Sequence, residues 1–299
     1  MTLAPIILFA YNRKDHLEKT ITALKQNALA IETNLFIFSD GPKIPSDEKV
    51  SEVRKFIKTI SGFKTIEITE AEKNKGLASS IVEGVTRIIN KYGKAIILED
   101  DVITSPYFLD YMNQSLDLYE NDEQVMHISG YMFPIDGTKL DEAFFLKPTS
   151  CWGWATWKRA WTHFSNNIQE IEKKMTGAKK REFNMDGSHD YYSQIRLNKE
   201  KKIKTWAIFW YASCFLNNGL SLHPKKSFCH NIGIDGSGTN CAPDEVFDVQ
   251  LNQTKPDLKR IGIQENLEAR KQLINFYNKN RIPLFERVIR KSKKIVGIK

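Results

Sequence analysis

The stretch Ala95-Ile96-Ile97-Leu98-Glu99-Asp100-Asp101-Val102 joins four apolar residues to three consecutive carboxylates. The apolar run predicts a buried strand that ends at the acidic triplet. Ligands of open α/β sheets bind at the carboxyl ends of the strands, and carboxylates there suit a hard divalent cation bound together with substrate phosphates. The triplet therefore indicates an enzyme that acts on a nucleotide diphosphate. The alternative for the same residues is an acidic surface turn between a strand and a helix.

The first 130 residues alternate between apolar strand patterns and amphipathic helix patterns. Predicted strands are 5–10, 35–39, 64–69, 95–99 and 125–129, and predicted helices are 15–28, 45–60, 77–90 and 107–119. Asp15 and Glu18 have the spacing of a capping box at the start of the first helix. This alternation predicts a doubly wound, Rossmann-like α/β fold with a mostly parallel sheet and right-handed crossovers. No GxGxxG follows the first strand, so the dinucleotide fingerprint is absent.

Each early strand leads into a polar side chain. These residues are Arg13 after the first strand, Asp40 after the second, Asn74 after the third, and Glu99 and Asp100 after the fourth. In a doubly wound sheet they lie along one edge and form a site for a charged, hydrogen-bonding ligand. Arg13 suits a phosphate or a base carbonyl, and Asp40 suits the donor groups of a base or ribose. A surface salt bridge is the alternative for Arg13 and Asp40.

The sequence changes character after residue 129, where aromatic residues and Gly/Ser/Asn turns concentrate. Trp152, Trp154, Trp157 and Trp161 fall within ten residues. We expect Trp157 and Trp161 to pack in the core. Trp152 and Trp154 occur in a turn-like sequence and could line a sugar site, because aromatic faces suit the apolar face of a pyranose. The expected organisation is a Rossmann-like half over 1–130, an irregular second half of the same domain over 131–260, and a C-terminal basic helical tail over 261–299.

Composition and charge narrow the class of protein. Of 299 residues, 41% are hydrophobic, which is typical of a globular core, and the net charge of +8 includes +5 within 285–299. The tail alternates apolar and basic residues at helical spacing, as do helices on anionic membrane surfaces; the alternative is a helix packed on the domain. The sequence contains neither zinc-finger spacing nor an RRM motif, so it does not indicate nucleic-acid binding. The cysteines are scattered and form no CxxC pair. The sequence shows no signal peptide and no apolar run long enough to span a membrane. These features predict a cytoplasmic protein, soluble or peripheral on the inner face of the plasma membrane.

The sequence resembles the GT-A-fold nucleotide-sugar glycosyltransferases. Within them it is similar to the Golgi α-mannoside β-1,2-N-acetylglucosaminyltransferase family and to bacterial family 2-like sugar transferases. The matching stretches are 10–13, 39–41, 98–102, 105–111, 129–131, 153–154 together with Trp161, and 188–191. They occur in the same order as in that group. Asn12, His189 and Tyr191 depart from the Golgi pattern, and the Golgi enzyme's membrane anchor and stem have no counterpart here.

The resemblance implies a role for each matching residue. Asp101 would bind the Mn²⁺ (or Mg²⁺) that bridges the donor's two phosphates, and Asp100 and Glu99 would contact ribose and base or hold metal waters. Arg13 and Asp40 would contact the uridine end of a UDP-sugar. It implies that Asp190 is the catalytic base.

Other residues keep alternatives open. Asp186 and Asp235 compete with Asp190 for the role of base, and Asp190 could instead cap the next helix. His230 could supply a metal or phosphate ligand, although a lone histidine is more often structural. The family folds a loop near 231–239 over the bound donor, which excludes water.

The resulting hypothesis is an inverting, metal-dependent glycosyltransferase. It would move GlcNAc or another hexose from a UDP-sugar to a hydroxyl of a glycan or lipid-linked glycan, in bacterial surface polysaccharide assembly. A sugar-1-phosphate nucleotidyltransferase is one alternative. Such enzymes have a Gly-rich loop directly after the first strand, whereas residues 11–15 of this sequence contain no glycine. A non-catalytic carbohydrate-binding protein is another, and it would not need the acidic triplet.

Overall fold

The computed structural model describes residues 2–233 and 245–280. Asp235 and the amphipathic segment 285–299 therefore lie outside the described residues. The strands are β1 Ile6–Ala10, β2 Asn34–Ser39, β3 Thr65–Glu70, β4 Lys94–Glu99, β5 Val102–Thr104, β6 Val125–Ser129, β7 Ala143–Leu146, β8 Trp154–Trp157, β9 Leu220–Pro224 and β10 Cys229–Asn231. The helices are α1 Lys14–Lys25, α2 Glu48–Ile57, α3 Leu77–Tyr92, α4 Phe108–Leu118, α5 Lys158–Trp161, α6 Ile168–Lys174, α7 Gly177–Phe183, α8 Tyr192–Lys199, α9 Ala207–Leu216 and α10 Leu267–Lys279. Short 3-10 helices cover Ala28–Glu32, Met185–Gly187 and Glu245–Phe247.

An eight-stranded sheet organises the chain, with strand order β3-β2-β1-β4-β8-β6-β9-β7. β1 runs parallel to β2 and β4, and β2 runs parallel to β3. β8 is antiparallel to both β4 and β6, β6 is parallel to β9, and β7 is antiparallel to β9. The predicted mostly parallel sheet is confirmed, and the second half of the chain extends the same sheet.

Helices cover both faces of the sheet because side chains alternate along each strand. On β1, Ile6 and Leu8 face a layer that includes Leu17 and Leu24 of α1, whereas Ile7 and Phe9 face α3. The α3 side continues into a tryptophan cluster that includes Trp161, whereas Trp157 belongs to the layer on the α1 side. Both side chains are buried, as predicted. This arrangement leaves the loops after the parallel strands on one edge.

The helix starts differ from the capping prediction. α1 begins at Lys14, its N-cap position is Arg13, and no side chain caps it. The predicted capping box is therefore wrong, since Asp15 lies in the first turn, where a carboxylate favours the helix dipole. α2 begins later than predicted because Asp47 caps it, accepting a hydrogen bond from the Val50 amide at 3.3 Å.

Two buried histidines join β6 and β9 to the neighbouring loops. Trp210 Nε1 donates to His127 Nδ1 at 3.0 Å, so the other nitrogen, Nε2, carries the hydrogen donated to the Ser150 carbonyl at 2.9 Å. His223 Nε2 lies 2.9 Å from the Pro148 carbonyl oxygen. Burial lowers the pKa of His127 to about 3 and that of His223 to about 4. Both rings are therefore neutral in the native state at neutral pH.

We expect the free energy of unfolding to fall as pH drops below the ordinary histidine pKa. The unfolded chain takes up protons below about pH 6.5, while the buried rings resist protonation until about pH 4 and 3. The stabilisation is thus complete above pH 6.5 and is lost as pH falls through the folded pKa values. The loss should be on the order of 2 kcal/mol or more. Urea unfolding by circular dichroism between pH 7 and 4 measures it.

His127→Gln should flatten this pH slope, and the exposed His163→Gln serves as the matched control. An unchanged slope in His127→Gln would assign the acid sensitivity to other groups.

Candidate functional site

The acidic triplet lies where β4 ends and β5 begins. Phe9 of β1 pairs with Glu99 of β4, so the loop that follows β1 faces the triplet. Asp100 and Asp101 form a turn and are only 4% and 7% exposed. The Thr20 hydroxyl donates to the Asp100 carbonyl at 2.9 Å and ties α1 to this turn. Burial excludes the acidic surface turn as a description of the two aspartates.

Arg13 is the cation of this site. Its Nη2 donates to Asp100 Oδ1 at 2.6 Å and to Asp101 Oδ2 at 2.7 Å. The amide of Tyr11 donates to the other oxygen of Asp100 at 3.3 Å. Arg13 Nη1 is buried, and among the described residues it has no hydrogen-bond partner. The structure therefore brings Arg13 to the triplet, as predicted, and leaves one guanidinium nitrogen available to a ligand.

One arginine does not balance three carboxyl groups. Burial, and then the charges of Asp101 and Asp100, raise the pKa of Glu99 to about 8. Burial raises the pKa of Asp100 to about 6 even though Arg13 opposes the shift. Burial lowers the pKa of Arg13, but the two aspartates outweigh it and raise the value. A further cation at this site would relieve the repulsion between the carboxylates.

The chemistry of these ligands fits a hard divalent cation. Carboxylate oxygens are the ligands that Mg²⁺ and Mn²⁺ prefer, and such ions are commonly bound through one or two carboxylates together with substrate phosphates. Within residues 2–233 and 245–280, no group of three or more His, Cys, Asp or Glu side chains is arranged to hold a metal ion. Asp100 and Asp101 are the two buried aspartates of the triplet at this edge of the sheet.

β10 closes the opposite side of Asp101. It pairs antiparallel with β5 and places Asn231 opposite Val102. Asn231 Nδ2 lies 3.4 Å from Asp101 Oδ1, and the amide of Ile232 donates to the Asp101 carbonyl at 2.8 Å. Sequence reasoning missed Asn231 as a site residue. The one feature of the sequence that could have pointed to Asn231 is its position beside His230. Asn231 and Asp101 are 130 positions apart, so the sequence around either residue does not show that they are in contact.

Gly233 lets the chain pass over the carboxylate. A Cβ at this position would lie 2.1 Å from Asp101 Oδ2 and 2.8 Å from Arg13 Nη1. The Gly233 amide donates to Asn231 Oδ1 at 2.7 Å, which orients the Asn231 side chain. A side chain at Gly233 would therefore displace either Asp101 or Arg13.

Asp40 and Asn74 meet at the ends of β2 and β3. Asp40 Oδ1 accepts from the amides of Gly41 and Lys75 at 2.8 and 2.9 Å. Its Oδ2 accepts from the Gly76 amide at 2.9 Å and from Asn74 Nδ2 at 3.1 Å. The carboxylate thus joins the 74–76 turn, and the start of α3, to β2. In the described residues this carboxylate pairs with amides and not with a surface cation.

We expect Asp40→Ala to destabilise the fold strongly. The substitution leaves the backbone amides of Gly41, Lys75 and Gly76 without their acceptor, while Asn74 Nδ2 keeps its hydrogen bond to the Gly41 carbonyl. Each unsatisfied buried donor costs about 1–3 kcal/mol. Allowing for water reaching the turn, the free energy of unfolding should fall by roughly 2 kcal/mol or more. Urea denaturation measures it, and the exposed Asp15→Ala is the control. A midpoint like that of the unmodified protein would show that Asp40 serves a ligand rather than the turn.

Asp190 is exposed in the loop before α8. Its Oδ1 accepts from the Ser193 amide at 3.2 Å and from Asn184 Nδ2 at 3.2 Å. The first of these bonds is the helix-capping role named above as its alternative. Of its competitors, Asp186 forms an ion pair with Arg270 at 3.0 Å, and Asp235 lies outside the described residues.

The structure corrects the expectation that Trp154 contacts a sugar. Trp154 is 1% exposed and its ring stacks on His127 and Trp206, with centroids 5.3 and 5.4 Å away. It belongs to β8, a central strand covered on both faces, and its turn-like sequence context concealed this. Trp152 is partly buried and packs edge-on against Tyr131, with centroids 4.6 Å apart.

His230 is half-buried beside the triplet's strand. It pairs with Ile103 of β5, and its Nε2 lies 3.5 Å from Asp248 Oδ1. Its Nδ1 is buried, and no residue that the structure describes forms a hydrogen bond with it. Burial lowers the pKa of His230 against the opposing charge of Asp248. A neutral ring with one free nitrogen can still accept or donate one hydrogen bond to a ligand.

Comparison with known proteins gives matches among solved structures. No model of a known protein family matches the sequence, and no curated protein matches it. Of the solved structures, 159 chains match. One is the mannosyltransferase PcManGT from Pyrobaculum calidifontis in complex with GDP-Man and Mn²⁺, at 10% identity and a TM-score of 0.43, covering 72% of this chain and 70% of that one. S. aureus TarS 1-349 matches at 9% identity and a TM-score of 0.43, covering 76% of this chain and 60% of that one. S. aureus TarS also matches at 9% identity and a TM-score of 0.30, covering 42% and 21%.

Proposed function

We propose that this chain is an inverting, metal-dependent glycosyltransferase that moves GlcNAc or another hexose from a UDP-sugar to a glycan hydroxyl. The observation that carries the proposal is the bridge from Arg13 Nη2 to Asp100 and Asp101 at the carboxyl edge of the parallel strands. An unpaired guanidinium nitrogen beside buried carboxylates suits a diphosphate bound with a divalent cation. The Asp40–Asn74 turn lies at the ends of β2 and β3, where the uridine end of the donor would bind.

The donor half of the reaction depends on four side chains. Asp101 would hold Mn²⁺ or Mg²⁺, and Asp100 and Glu99 would contact ribose and base or hold metal-bound water. The ion, when bound, supplies Lewis-acid neutralisation of the departing phosphate, worth several kcal/mol. Arg13 Nη1, which has no hydrogen-bond partner within residues 2–233 and 245–280, would donate to a phosphate oxygen. These contacts favour the leaving group as its negative charge develops.

The acceptor half requires a group that removes a proton. Asp190 would accept the proton of the acceptor hydroxyl while the hydroxyl oxygen attacks the anomeric carbon from the side opposite the diphosphate. Attack from that side inverts the anomeric configuration. The hydrogen bonds from Asn184 and Ser193 occupy Asp190 Oδ1, and the other oxygen, Oδ2, is the one proposed to take the proton.

The proposed setting is bacterial surface polysaccharide assembly on the cytoplasmic side of the membrane. The acceptor is a glycan or lipid-linked glycan, and the segment 285–299 would contact an anionic membrane surface. Among the described residues, no helix is both long and apolar enough to cross a membrane.

A donor screen tests the function. Purified protein is incubated with UDP-, GDP- and CMP-sugars and Mn²⁺, and nucleotide release is measured with and without EDTA. We expect UDP release from a UDP-sugar that stops in EDTA and returns with Mn²⁺, and NMR of the transferred product should show the inverted anomer. Pyrophosphate release from a nucleoside triphosphate and a sugar 1-phosphate would instead show a nucleotidyltransferase. Sugar binding without any nucleotide release would show a carbohydrate-binding protein.

A further inference from the structure

The net positive charge of the described chain is concentrated in one segment. Residues 168–204 contain ten Lys and Arg against six Asp and Glu, whereas the rest of residues 2–233 and 245–280 contain 27 of each sign. This segment comprises α6, α7 and α8 and also contains Asp190. The net positive charge of the described residues therefore falls in the segment of the chain that contains the proposed base.

The charges point outward because the inner faces of these helices are apolar. Ile171 of α6, Phe183 of α7 and Ile195 of α8 are buried in one cluster with α9. Among the exposed basic side chains on the outside are Lys173, Lys174, Lys179, Arg181, Arg196 and Lys201, and we call these six residues the α6–α8 basic surface. In the part of the chain that the structure describes, no carboxylate lies within 4.0 Å of their charged groups.

Most acidic residues of the segment are already neutralised by other cations. Glu172 pairs with Lys199 at 2.7 Å, and Asp186 pairs with Arg270 from outside the segment at 3.0 Å. Glu182 pairs with Lys147, which also lies outside the segment. The carboxylates of the segment therefore leave the α6–α8 basic surface uncompensated. Unpaired cations on three neighbouring elements attract an anionic partner more than one isolated lysine does.

Lys180 connects this surface to Asp190. Its Nζ lies 3.9 Å from the centroid of the Tyr192 ring, two residues from Asp190. Asn184, directly after α7, donates to Asp190 and accepts from the Tyr192 amide at 2.9 Å. These contacts place the end of α7 and the start of α8 beside Asp190, and Lys179, Arg181 and Arg196 are exposed on the same two helices.

We propose that the α6–α8 basic surface binds the acceptor, and that this acceptor is an anionic glycan chain carrying phosphate or carboxylate groups. The proposal rests on the proposed function for the meaning of "acceptor", but the binding it describes can be measured without catalysis. Cations along the path to Asp190 would hold successive anionic units while one hydroxyl is presented to the base. Charge attraction of this kind raises the encounter rate and is weakened by salt.

Binding of inorganic polyphosphate tests the surface directly. The variant Lys179→Gln/Arg181→Gln/Arg196→Gln is compared with Lys49→Gln/Lys55→Gln/Lys64→Gln, which removes three exposed lysines from the other side of the fold. Fluorescence anisotropy of labelled polyphosphate at two salt concentrations gives the affinities, and circular dichroism checks folding. Because each exposed charge contributes modestly, we expect the first variant to bind roughly tenfold more weakly. The second variant should bind like the unmodified protein, and added salt should weaken binding.

Equal losses in both triple variants would overturn the proposal, because binding would then follow net charge alone. Binding to phosphatidylglycerol vesicles without binding to polyphosphate would also overturn it, in favour of a membrane surface. Arg196→Gln alone gives a second readout should the triple variant unfold. Manganese-dependent UDP release tests the proposed function separately. If UDP is not released while polyphosphate still binds, the proposed transferase function is refuted. If UDP is released and the first variant binds polyphosphate like the unmodified protein, the proposal of an anionic acceptor is refuted.

Discussion

Asp101→Asn is expected to abolish sugar transfer while leaving the fold intact. A neutral amide is a poor ligand for a hard cation, and the phosphate would then leave without that neutralisation. Since several kcal/mol of transition-state stabilisation are lost, turnover should fall by about 10³-fold or more. The measurement is UDP release and transfer with saturating Mn²⁺.

The loss should be specific to the site. Asp101 also accepts from Arg13 and Asn231, so isothermal titration with Mn²⁺ and a thermal melt are recorded for the same variant. Asp141→Asn, at an exposed position, is the matched control and should keep full activity. Undiminished transfer by Asp101→Asn, or full activity of the unmodified protein in EDTA, would rule out the metal role.

Asp190→Asn is expected to lower kcat by roughly 10²–10⁴-fold with little change in donor affinity, because a general base acts in the transition state. Asparagine caps helices about as well as aspartate, so the hydrogen bond that α8 receives through Ser193 is retained. The variant therefore separates the proton transfer from the structural role that the geometry displays. Steady-state kinetics with varied donor and acceptor concentrations measure the change in kcat separately from the change in donor affinity.

Two comparisons make the second result decisive. Asp47→Asn makes the same change at the N-cap of α2, where Asp47 accepts from Val50, and should leave kcat unaltered. Asp190→Ala removes the cap as well and should lose a further ~1 kcal/mol of stability. If Asp190→Asn loses donor affinity but keeps its turnover, Asp190 belongs to the donor site. If it keeps both, Asp190 is a helix cap and another group is the base.

Local sequence was sufficient for the first half of the fold. Apolar periodicity predicted β1, β2, β4 and β6 to within a residue or so, and α3 from its first residue. The placement of Arg13 beside Asp100 followed from one rule, that parallel strands bring their carboxyl ends to one edge. Such features can be predicted from the sequence because they depend on neighbouring residues along the chain.

The strands of the second half of the fold could not be predicted in the same way. β7, β8 and β9 are short strands that are buried along their whole length, so burial does not follow the polarity of the residues: Ser221 and His223 of β9 are as buried as Leu222. The core position of Trp154 follows from β8 lying between β4 and β6. That pairing leaves no trace in the sequence around residue 154.

The sequence by itself determined the parallel half-sheet, the acidic triplet at its edge and the cation that faces it, because each follows from the period and order of the chain. Only the tertiary structure decided that Asn231 and Gly233 cover Asp101 and that Asp40 holds the 74–76 turn. It also decided that the unpaired basic residues lie on the outer faces of α6, α7 and α8. These arrangements depend on which distant segments pack together, and packing is set by the free energy of the whole core and not by any local pattern.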